Sequence, residues 1–247
     1  MKNNFYFKEP FSNIYKLPKK SSEVTSQILY GEKFKVLSKR KGWIKIKSKF
    51  DNYVGFIKNK KYVSALKISH KVSNIEAKIF KKPNIKTKKT LPFGSKLSVM
   101  EKRSSFARFE KNQWVKLGDI KKITHKEKNF LKVFKLFLKT KYVWGGKTNK
   151  GIDCSALLQI FFYYNNLFYP RDTKDQVKYS SKKISKNFSK GDIIFWKGHV
   201  AICINSRQLI HAYSPKKKVI IMPIKKTITR ILATANLKVR KISKIKF

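Results

Sequence analysis

A cysteine lies where a helix is predicted to begin. Residues 151–155 read Gly-Ile-Asp-Cys-Ser, and an apolar run from Ala156 to Phe162 follows them. The unpaired N–H groups and the dipole at the first turn of a helix stabilise a thiolate, which is the nucleophilic form of cysteine. Cys154 is therefore a candidate nucleophile.

The chain has two cysteines, too few for a disulfide framework. The other one, Cys203, lies in the run Val-Ala-Ile-Cys-Ile at 200–204, which is typical of a small buried apolar residue. The neighbours of Cys154 are polar and glycine-rich instead. The prediction of a reactive thiol therefore concerns Cys154.

A cysteine nucleophile needs a base, and the base needs an orienting partner. Among the four histidines, His199 and His211 lie on successive predicted strands that a tight turn separates. Adjacent antiparallel strands can bring the two imidazoles into contact, and packing of the sheet on the Cys154 helix would place His199 near the sulfur. The alternatives are structural histidines, or a zinc site formed by the three residues, which would lack the close-spaced ligand pair usual in such sites. We expect neither a metal nor a cofactor.

The elements that must hold these residues are predicted between 123 and 247. A capping box at Thr124 and Glu127 and the apolar spacing that follows predict a helix ending near Thr140. The Cys154 helix is expected to reach about Asn166. Short strands are predicted at 192–196, 199–204, 208–213, 219–223 and 231–239. Helices followed by antiparallel strands indicate an α+β domain.

The N-terminal half has a different pattern. Residues 12–122 lack helical periodicity and show short alternating runs broken by Gly, Asn and Lys. A glycine, a polar stretch, an apolar strand and a Trp-containing strand occur in this order from Gly31 and again from Gly94. We predict two small barrels, residues 12–66 and 67–122; the alternative is one irregular β domain.

The charge is extreme, with 60 Lys and Arg against 13 Asp and Glu and a net charge of +47. This excess suggests a polyanionic partner, such as nucleic acid or an acidic wall polymer. The lysines are nevertheless spread along the whole chain, as a codon-biased genome would also produce. We expect non-specific anion binding at low salt and no specific nucleic-acid partner.

The chain has no apolar stretch near the length of a membrane helix. Its first twenty residues carry scattered aromatic residues and prolines but no apolar core of a secretory signal. We therefore expect no membrane span and a cytoplasmic location.

Several motifs occur in a fixed order over roughly residues 125–240. They are Tyr142-x-Trp144-Gly145-Gly146, Gly151-Ile152-Asp153-Cys154-Ser155, Pro170-Arg171-Asp172, Gln176, Gly191-Asp192, Gly198-His199-Val200 and Ile210-His211-Ala212. These motifs resemble those of the NlpC-type cysteine peptidases, which are papain-like hydrolases of cell-wall peptides. One departure is Ala156, where the family usually has glycine; a methyl group on a helix is tolerated.

The N-terminal half is similar to the bacterial SH3-like domains that precede this catalytic domain in one branch, the γ-D-glutamyl-L-diamino acid endopeptidases. The resemblance implies an α+β papain-like peptidase domain at 123–247, with helices packed on an antiparallel sheet. Two SH3-like barrels, at 12–66 and 67–122, would precede it.

The resemblance also implies roles. Cys154 would be the nucleophile, His199 the general base and then acid, and His211 the residue that orients His199. The Tyr142 hydroxyl would help to stabilise the oxyanion, together with the Cys154 N–H. Asp172 would pair with the free α-amine of the L-alanine of the substrate. The other expected substrate contacts are Ser155, Trp144 and Thr173 in the catalytic domain, and Tyr53 and Glu23 in the first SH3-like domain.

The function expected from the resemblance is hydrolysis of the γ-D-glutamyl–diamino acid bond in murein peptides with a free N-terminal L-alanine. One alternative is a non-catalytic basic module that binds wall polymer or nucleic acid. Another is a papain-like amidase or acyltransferase. The amine-binding role of Asp172 separates the peptidase from the second alternative.

Overall fold

The computed structural model describes residues 4–184 and 187–245. Residues 185–186 and 246–247 of the predicted peptidase domain lie outside the described part. A division between Lys126 and Glu127 separates two compact units. Each unit has its own sheets and its own core.

The first unit is built of β-strands. One sheet has the strand order β3-β2-β6-β5-β4-β1-β7, a second β10-β9-β14-β13-β12 and a third β11-β8-β15. The strands are β1 (Asn4–Phe7), β2 (Phe11–Tyr15), β3 (Val24–Leu29), β4 (Lys33–Arg40), β5 (Trp43–Ser48), β6 (Val54–Lys58), β7 (Tyr62–Val63), β8 (His70–Val72), β9 (Glu76–Lys82), β10 (Ile85–Pro92), β11 (Lys96–Leu97), β12 (Glu101–Arg103), β13 (Phe106–Glu110), β14 (Gln113–Lys116) and β15 (Ile120–Lys122).

Alternation of side chains explains the first sheet. In β5, Ile44 and Ile46 are buried while the lysines between and after them are half-buried, as expected of a strand with one face on a core. Strand β1 pairs with β4 and β7 in this sheet, although it lies before the predicted start of the first barrel at residue 12. The core of this sheet is formed by Phe7, Ile14, Ile28, Phe34, Ile44, Ile46 and Ile57.

The two other sheets share a second core, which includes Val72, Ile79, Leu97, Phe109 and Val115. Tyr30, which follows β3, inserts into this second core. Its hydroxyl donates a hydrogen bond to Glu110 at 2.8 Å. The chain that forms the first sheet therefore contributes a buried side chain to the second core.

The second unit combines four helices of the described chain with an antiparallel sheet of order β21-β20-β19-β18-β22. The expected α+β arrangement is confirmed. The elements are α1 (Phe130–Leu136), β16 (Lys147–Thr148), β17 (Gly151–Ile152), α2 (Cys154–Tyr164), α3 (Thr173–Tyr179), β18 (Asp192–Trp196), β19 (His199–Cys203), β20 (Gln208–Tyr213), β21 (Lys218–Pro223), α4 (Ile224–Ala235) and β22 (Lys241–Lys244).

Helix α2 lies at the centre of the second unit. All of its residues are buried, which is typical of a helix enclosed on every side. It packs on β19 and β20 and contacts α1. The cysteine at its first residue is thereby fixed to the sheet that carries both predicted active-site histidines.

The predicted strand at 231–239 is wrong. Helix α4 occupies Ile224–Ala235, and β22 comes later, at Lys241–Lys244. The β-branched residues of this segment favour a strand when taken singly. The buried positions Ile224, Thr227 and Ile231 instead follow helical spacing and cover the sheet.

The capping box predicted at Thr124 and Glu127 is also wrong, since α1 begins only at Phe130 and its N-cap residue makes no side-chain bond. Glu127 instead accepts a hydrogen bond from the Asn129 N–H at 3.0 Å, and its own N–H donates to Asn165 at 2.8 Å. Glu127 therefore joins the start of this unit to the end of α2. Across the described residues, none of the helices is long and apolar enough to cross a membrane.

Candidate active site

The thiol of Cys154 lies against the two chain neighbours of His199. It donates to the Gly198 carbonyl oxygen at 4.0 Å, and the Val200 N–H points at the sulfur, as does the Ser155 N–H. Gly198 turns the chain between β18 and β19 with a positive φ of 74°, a conformation that favours glycine. The sulfur is thus fixed against the start of the histidine-bearing strand.

Cys154 is buried, with 3% of its surface exposed. Burial raises the pKa of its thiol to about 12, and the negative charge of Asp153 adds to this rise. The Val200 N–H and the positive charge of Arg171 act in the opposite direction. The resting residue is therefore a thiol at neutral pH, and it needs a base to become a nucleophile.

The predicted base and its orienting partner are in contact. His199 Nε2 lies 2.9 Å from His211 Nδ1. Burial lowers the pKa of His199 to about 4, and burial followed by the influence of His199 lowers that of His211 well below its ordinary value. Both imidazoles are therefore neutral at physiological pH, as a general base must be.

The sheet register explains this contact. Ile202 on β19 pairs with Ile210 on β20. His199 lies three residues before Ile202, and His211 lies one residue after Ile210. Because side chains alternate along a strand and both separations are odd, the two histidines project from the same face of the sheet. His211 is fully buried and stacks on Tyr213, with ring centroids 4.6 Å apart and planes at 10°. Its packing holds its ring in one orientation beneath His199.

A buried ion pair holds the start of α2. The Arg171 guanidinium donates to both oxygens of Asp153, at 3.0 Å and 2.6 Å. Asp153 also accepts from the N–H groups of Ala156 at 2.8 Å and Gly145 at 3.0 Å. Asp153 therefore caps the Cys154 helix and ties it to the glycine loop before it.

That loop carries Tyr142 and Trp144. Tyr142 forms a bridge with Ile152, two residues before Cys154. Burial and the nearby charges of Cys154 and Asp153 raise the pKa of its phenol, so its hydroxyl keeps its proton at neutral pH. Trp144 is exposed. Gly146 lies so close to Gly151 that an added Cβ would come within 2.4 Å of the Gly151 carbonyl oxygen.

Asp172 lies at the N-cap position of α3 and is half-buried. Within the part of the chain that the structure describes, its carboxylate accepts no hydrogen bond and pairs with no cation, and it does not cap the helix. Burial raises its pKa, while Arg171 and Lys174 lower it. The negative charges of Asp175 and Asp153 add to the rise. Thr173, the next residue, is buried.

The structure places the remaining predicted contacts in different surroundings. The Ser155 hydroxyl donates to Asp153 at 3.1 Å and accepts from Arg171 at 2.9 Å, so it belongs to the network that holds the helix. Tyr53 and Glu23 belong to the first compact unit. Tyr53 packs against the core of the first sheet, and Glu23 lies 3.7 Å from Lys16 in an exposed ion pair.

Sequence reasoning missed the roles of three residues. Asp153 has the residue type of an N-cap directly before a helix, which is a signal that could have been used. Arg171 lies eighteen positions from its partner Asp153, and nothing in that spacing indicates a pair. Met222 contacts His211 at 3.4 Å, and it carried no signal at all.

The arrangement of side chains does not support the alternative of a zinc site at Cys154, His199 and His211. Searched over the described residues, the structure has no group of three or more His, Cys, Asp or Glu side chains arranged to hold a metal ion. Within the described ranges, Cys154, His199 and His211 are therefore not arranged as the zinc site of the alternative interpretation.

Two protein-family models match parts of the chain. Residues 139–235 match the model of the NlpC/P60 family, and residues 14–61 match that of the bacterial dipeptidyl-peptidase Sh3 domain. The chain is similar to dipeptidyl-peptidase 6 of Lysinibacillus sphaericus, with 24% identity over 81% of this chain and 84% of that protein. It is also similar to gamma-D-glutamyl-L-lysine dipeptidyl-peptidase of Bacillus subtilis, with 23% identity over 83% of this chain and 77% of that protein.

A solved structure of an NlpC/P60 family protein from Bacillus cereus has the same fold, with a TM-score of 0.79 and 17% identity, covering 98% of this chain and 99% of that one. The expected papain-like fold with an N-terminal SH3 domain is confirmed. Residues 139–235 form a domain of the NlpC/P60 peptidase family, and a bacterial dipeptidyl-peptidase SH3 domain at residues 14–61 precedes it in the chain.

Proposed function

We propose that this chain is a cysteine peptidase that hydrolyses the γ-D-glutamyl–diamino acid bond of murein peptides with a free N-terminal L-alanine. The observation that carries the proposal is the position of the Cys154 thiol, which contacts Gly198 and Val200 on either side of His199. The contact between His199 and His211 gives the base its orienting partner. The peptidase class agrees with the family of residues 139–235.

In the proposed reaction, His199 takes the proton of the Cys154 thiol as the sulfur attacks the γ-carbonyl carbon of the D-glutamyl residue. The resulting oxyanion accepts hydrogen bonds from the Tyr142 hydroxyl and the Cys154 N–H. As the oxyanion collapses to a thioester, the bond between the γ-carbonyl carbon and the amide nitrogen breaks, and His199 gives its proton to the leaving amine of the diamino acid. Water then attacks the thioester while His199 takes a proton from it. The carbon–sulfur bond breaks, the dipeptide leaves, and His199 returns that proton to the sulfur.

The neutral resting pair suits this sequence of steps. Because the thiol pKa is raised and the His199 pKa is lowered, the proton leaves the sulfur only as the bond between the sulfur and the γ-carbonyl carbon forms. The positive charge that develops on His199 is then stabilised by its contact with His211.

Asp172 supports the requirement for a free amine. Its half-buried carboxylate has no cationic or hydrogen-bonding partner among the described residues, so a substrate ammonium would supply the missing charge. Two similar proteins carry the word dipeptidyl-peptidase in their names, and one name specifies a gamma-D-glutamyl-L-lysine bond. We extend this chemistry to the present chain as part of the proposal.

The remaining substrate contacts belong to the same proposal. Trp144 is exposed on the loop that also carries Tyr142, where its indole can cover a bound peptide. Thr173 follows Asp172 directly.

The experiment compares two peptides, L-Ala-γ-D-Glu-L-Lys and its N-acetylated form, and also their meso-diaminopimelate counterparts. We expect release of L-Ala-γ-D-Glu from the free tripeptides and little cleavage of the acetylated ones. Equal cleavage of both forms would contradict the amine requirement. If the folded protein cleaves none of these murein peptides, the whole proposal is contradicted.

A further inference from the structure

The second ring nitrogen of His211 contacts a methionine. His211 Nε2 lies 3.4 Å from the Sδ atom of Met222, within hydrogen-bonding distance for sulfur. His211 is fully buried and Met222 is 8% exposed. The thioether is thus the only partner that the structure gives this nitrogen among the residues it describes.

This contact continues a diagonal across three strands. In β20 and β21, Leu209 pairs with Met222 and His211 with Ile220. His211 and Met222 are therefore diagonal neighbours on one face, as diagonal pairs on adjacent strands can be in contact. His199, His211 and Met222 form a connected row from β19 to β21.

We propose that Met222 is a positioning residue that sets the tautomers of both histidines. A thioether sulfur has no hydrogen to donate, so it can only accept. The proton of neutral His211 therefore resides on Nε2, which leaves Nδ1 as an acceptor. The hydrogen bond between the rings must then be donated by His199 Nε2–H to His211 Nδ1. His199 Nδ1 is left without a proton and is the basic nitrogen.

The opposite assignment is unfavourable at each step. If His211 carried its proton on Nδ1, its Nε2 lone pair would face the lone pairs of sulfur in a buried place, with no donor for either. His199 would then accept at Nε2 and carry its own proton on Nδ1. The nitrogen available for the thiol proton would be occupied, as happens when the orienting group of a catalytic histidine imposes the wrong tautomer.

The test measures the tautomers directly, by 15N NMR of the imidazoles in histidine-labelled protein at neutral pH. The four histidines of the chain make this spectrum simple. We expect both His199 and His211 to be protonated at Nε2 in the unmodified protein. In Met222→Leu, which keeps the volume but removes the acceptor, the His211 signals should move toward an average of both tautomers.

A second experiment separates the loss of the sulfur acceptor from an effect of misfolding. In a Met100→Leu background, methionine is replaced by norleucine, which is isosteric and has no acceptor, or by selenomethionine, which keeps an acceptor. Met100 is exposed, so Met100→Leu also serves as the matched control. Norleucine should reproduce the change in tautomer, and selenomethionine should not.

The kinetic readout rests on the proposed function, whereas the NMR readout does not. With the tripeptide as substrate, norleucine or Met222→Leu should lower kcat roughly 10-fold with little change in KM, the size typical of losing a partner that orients a functional histidine. Selenomethionine should keep full activity. An Nε2-protonated His211 that persists without the sulfur, or an Nδ1-protonated His211 in the unmodified protein, would overturn the inference even if peptides are cleaved.

Discussion

His199 Nε2 lies 2.9 Å from His211 Nδ1, and His211 itself is fully buried. His199 is half-buried and forms the accessible side of the pair, whereas His211 has no exposed surface. In the proposed mechanism, His199 therefore transfers the proton and His211 orients the His199 ring.

Replacement of His211 should therefore depend on whether an acceptor remains. An asparagine can place its amide oxygen near the position of Nδ1, whereas alanine leaves the His199 N–H buried without a partner. We expect His211→Asn to lower kcat about 10-fold and His211→Ala about 1000-fold, within the range known for the support of a catalytic histidine. Steady-state kinetics with the tripeptide as substrate measures kcat for the two variants. Equal activity of the two variants would contradict the orienting role.

Asp172→Asn should change substrate selection more than catalysis. Removal of the charge eliminates the attraction for a free ammonium, so KM for the free tripeptide should rise about 10-fold or more. Cleavage of the N-acetylated tripeptide should stay equally slow or improve. The ratio of kcat/KM for the two peptides is the quantity to measure.

Asp175→Asn is the matched control for that ratio. Asp175 lies in the first turn of the same helix and carries the same charge. We expect its replacement to leave the ratio near that of the unmodified protein. A similar loss of discrimination in both variants would show a general effect of charge and would argue against a specific amine site.

Arg171→Met should destabilise the peptidase domain strongly. It leaves the Asp153 carboxylate buried without its cation, and breaking such a pair costs about 3–5 kcal/mol of unfolding free energy. Thermal and urea unfolding measure the effect, with Arg207→Met at an exposed position as control. The double variant Asp153→Asn with Arg171→Met should recover part of the loss. Melting of Arg171→Met at the temperature of the control would contradict the role of this pair.

The pH dependence of alkylation tests the neutral resting pair. The pKa of Cys154 is raised to about 12 and that of His199 is lowered to about 4, so between these values the thiol keeps its proton and the imidazole has none. The thiolate fraction should then grow with pH through the alkaline range. Iodoacetamide labelling of a Cys203→Ala protein, followed by mass spectrometry, should accelerate steadily above neutral pH. A rate that is already constant around neutrality would indicate a thiolate–imidazolium pair instead.

The sequence predicted the parts of the site that depend on local order. Cys154 begins a helix, and His199 and His211 lie on adjacent strands, because short-range patterns of glycine, apolar runs and turns determine those elements. The strand predicted at 231–239 is wrong, because burial on the sheet selects helical spacing at Ile224, Thr227 and Ile231.

Long-range partners were beyond such patterns. Arg171 meets Asp153 only because the segment before α3 packs against the start of α2. Met222 meets His211 because β21 pairs with β20. Glu127 has the residue type for a capping box, yet its N–H bonds to Asn165 at the far end of α2. Tertiary contact, rather than residue type, decides these three interactions.

The central claim is that the Cys154 thiol performs the cleavage of the γ-D-glutamyl bond. The most direct measurement is the rate of L-Ala-γ-D-Glu release from the free tripeptide by the unmodified protein, Cys154→Ala and Cys203→Ala. Cys203 is the other buried cysteine and belongs to the core of the sheet. We predict that Cys154→Ala releases no dipeptide above background while Cys203→Ala stays close to the unmodified rate. Release by Cys154→Ala at the unmodified rate would contradict the account.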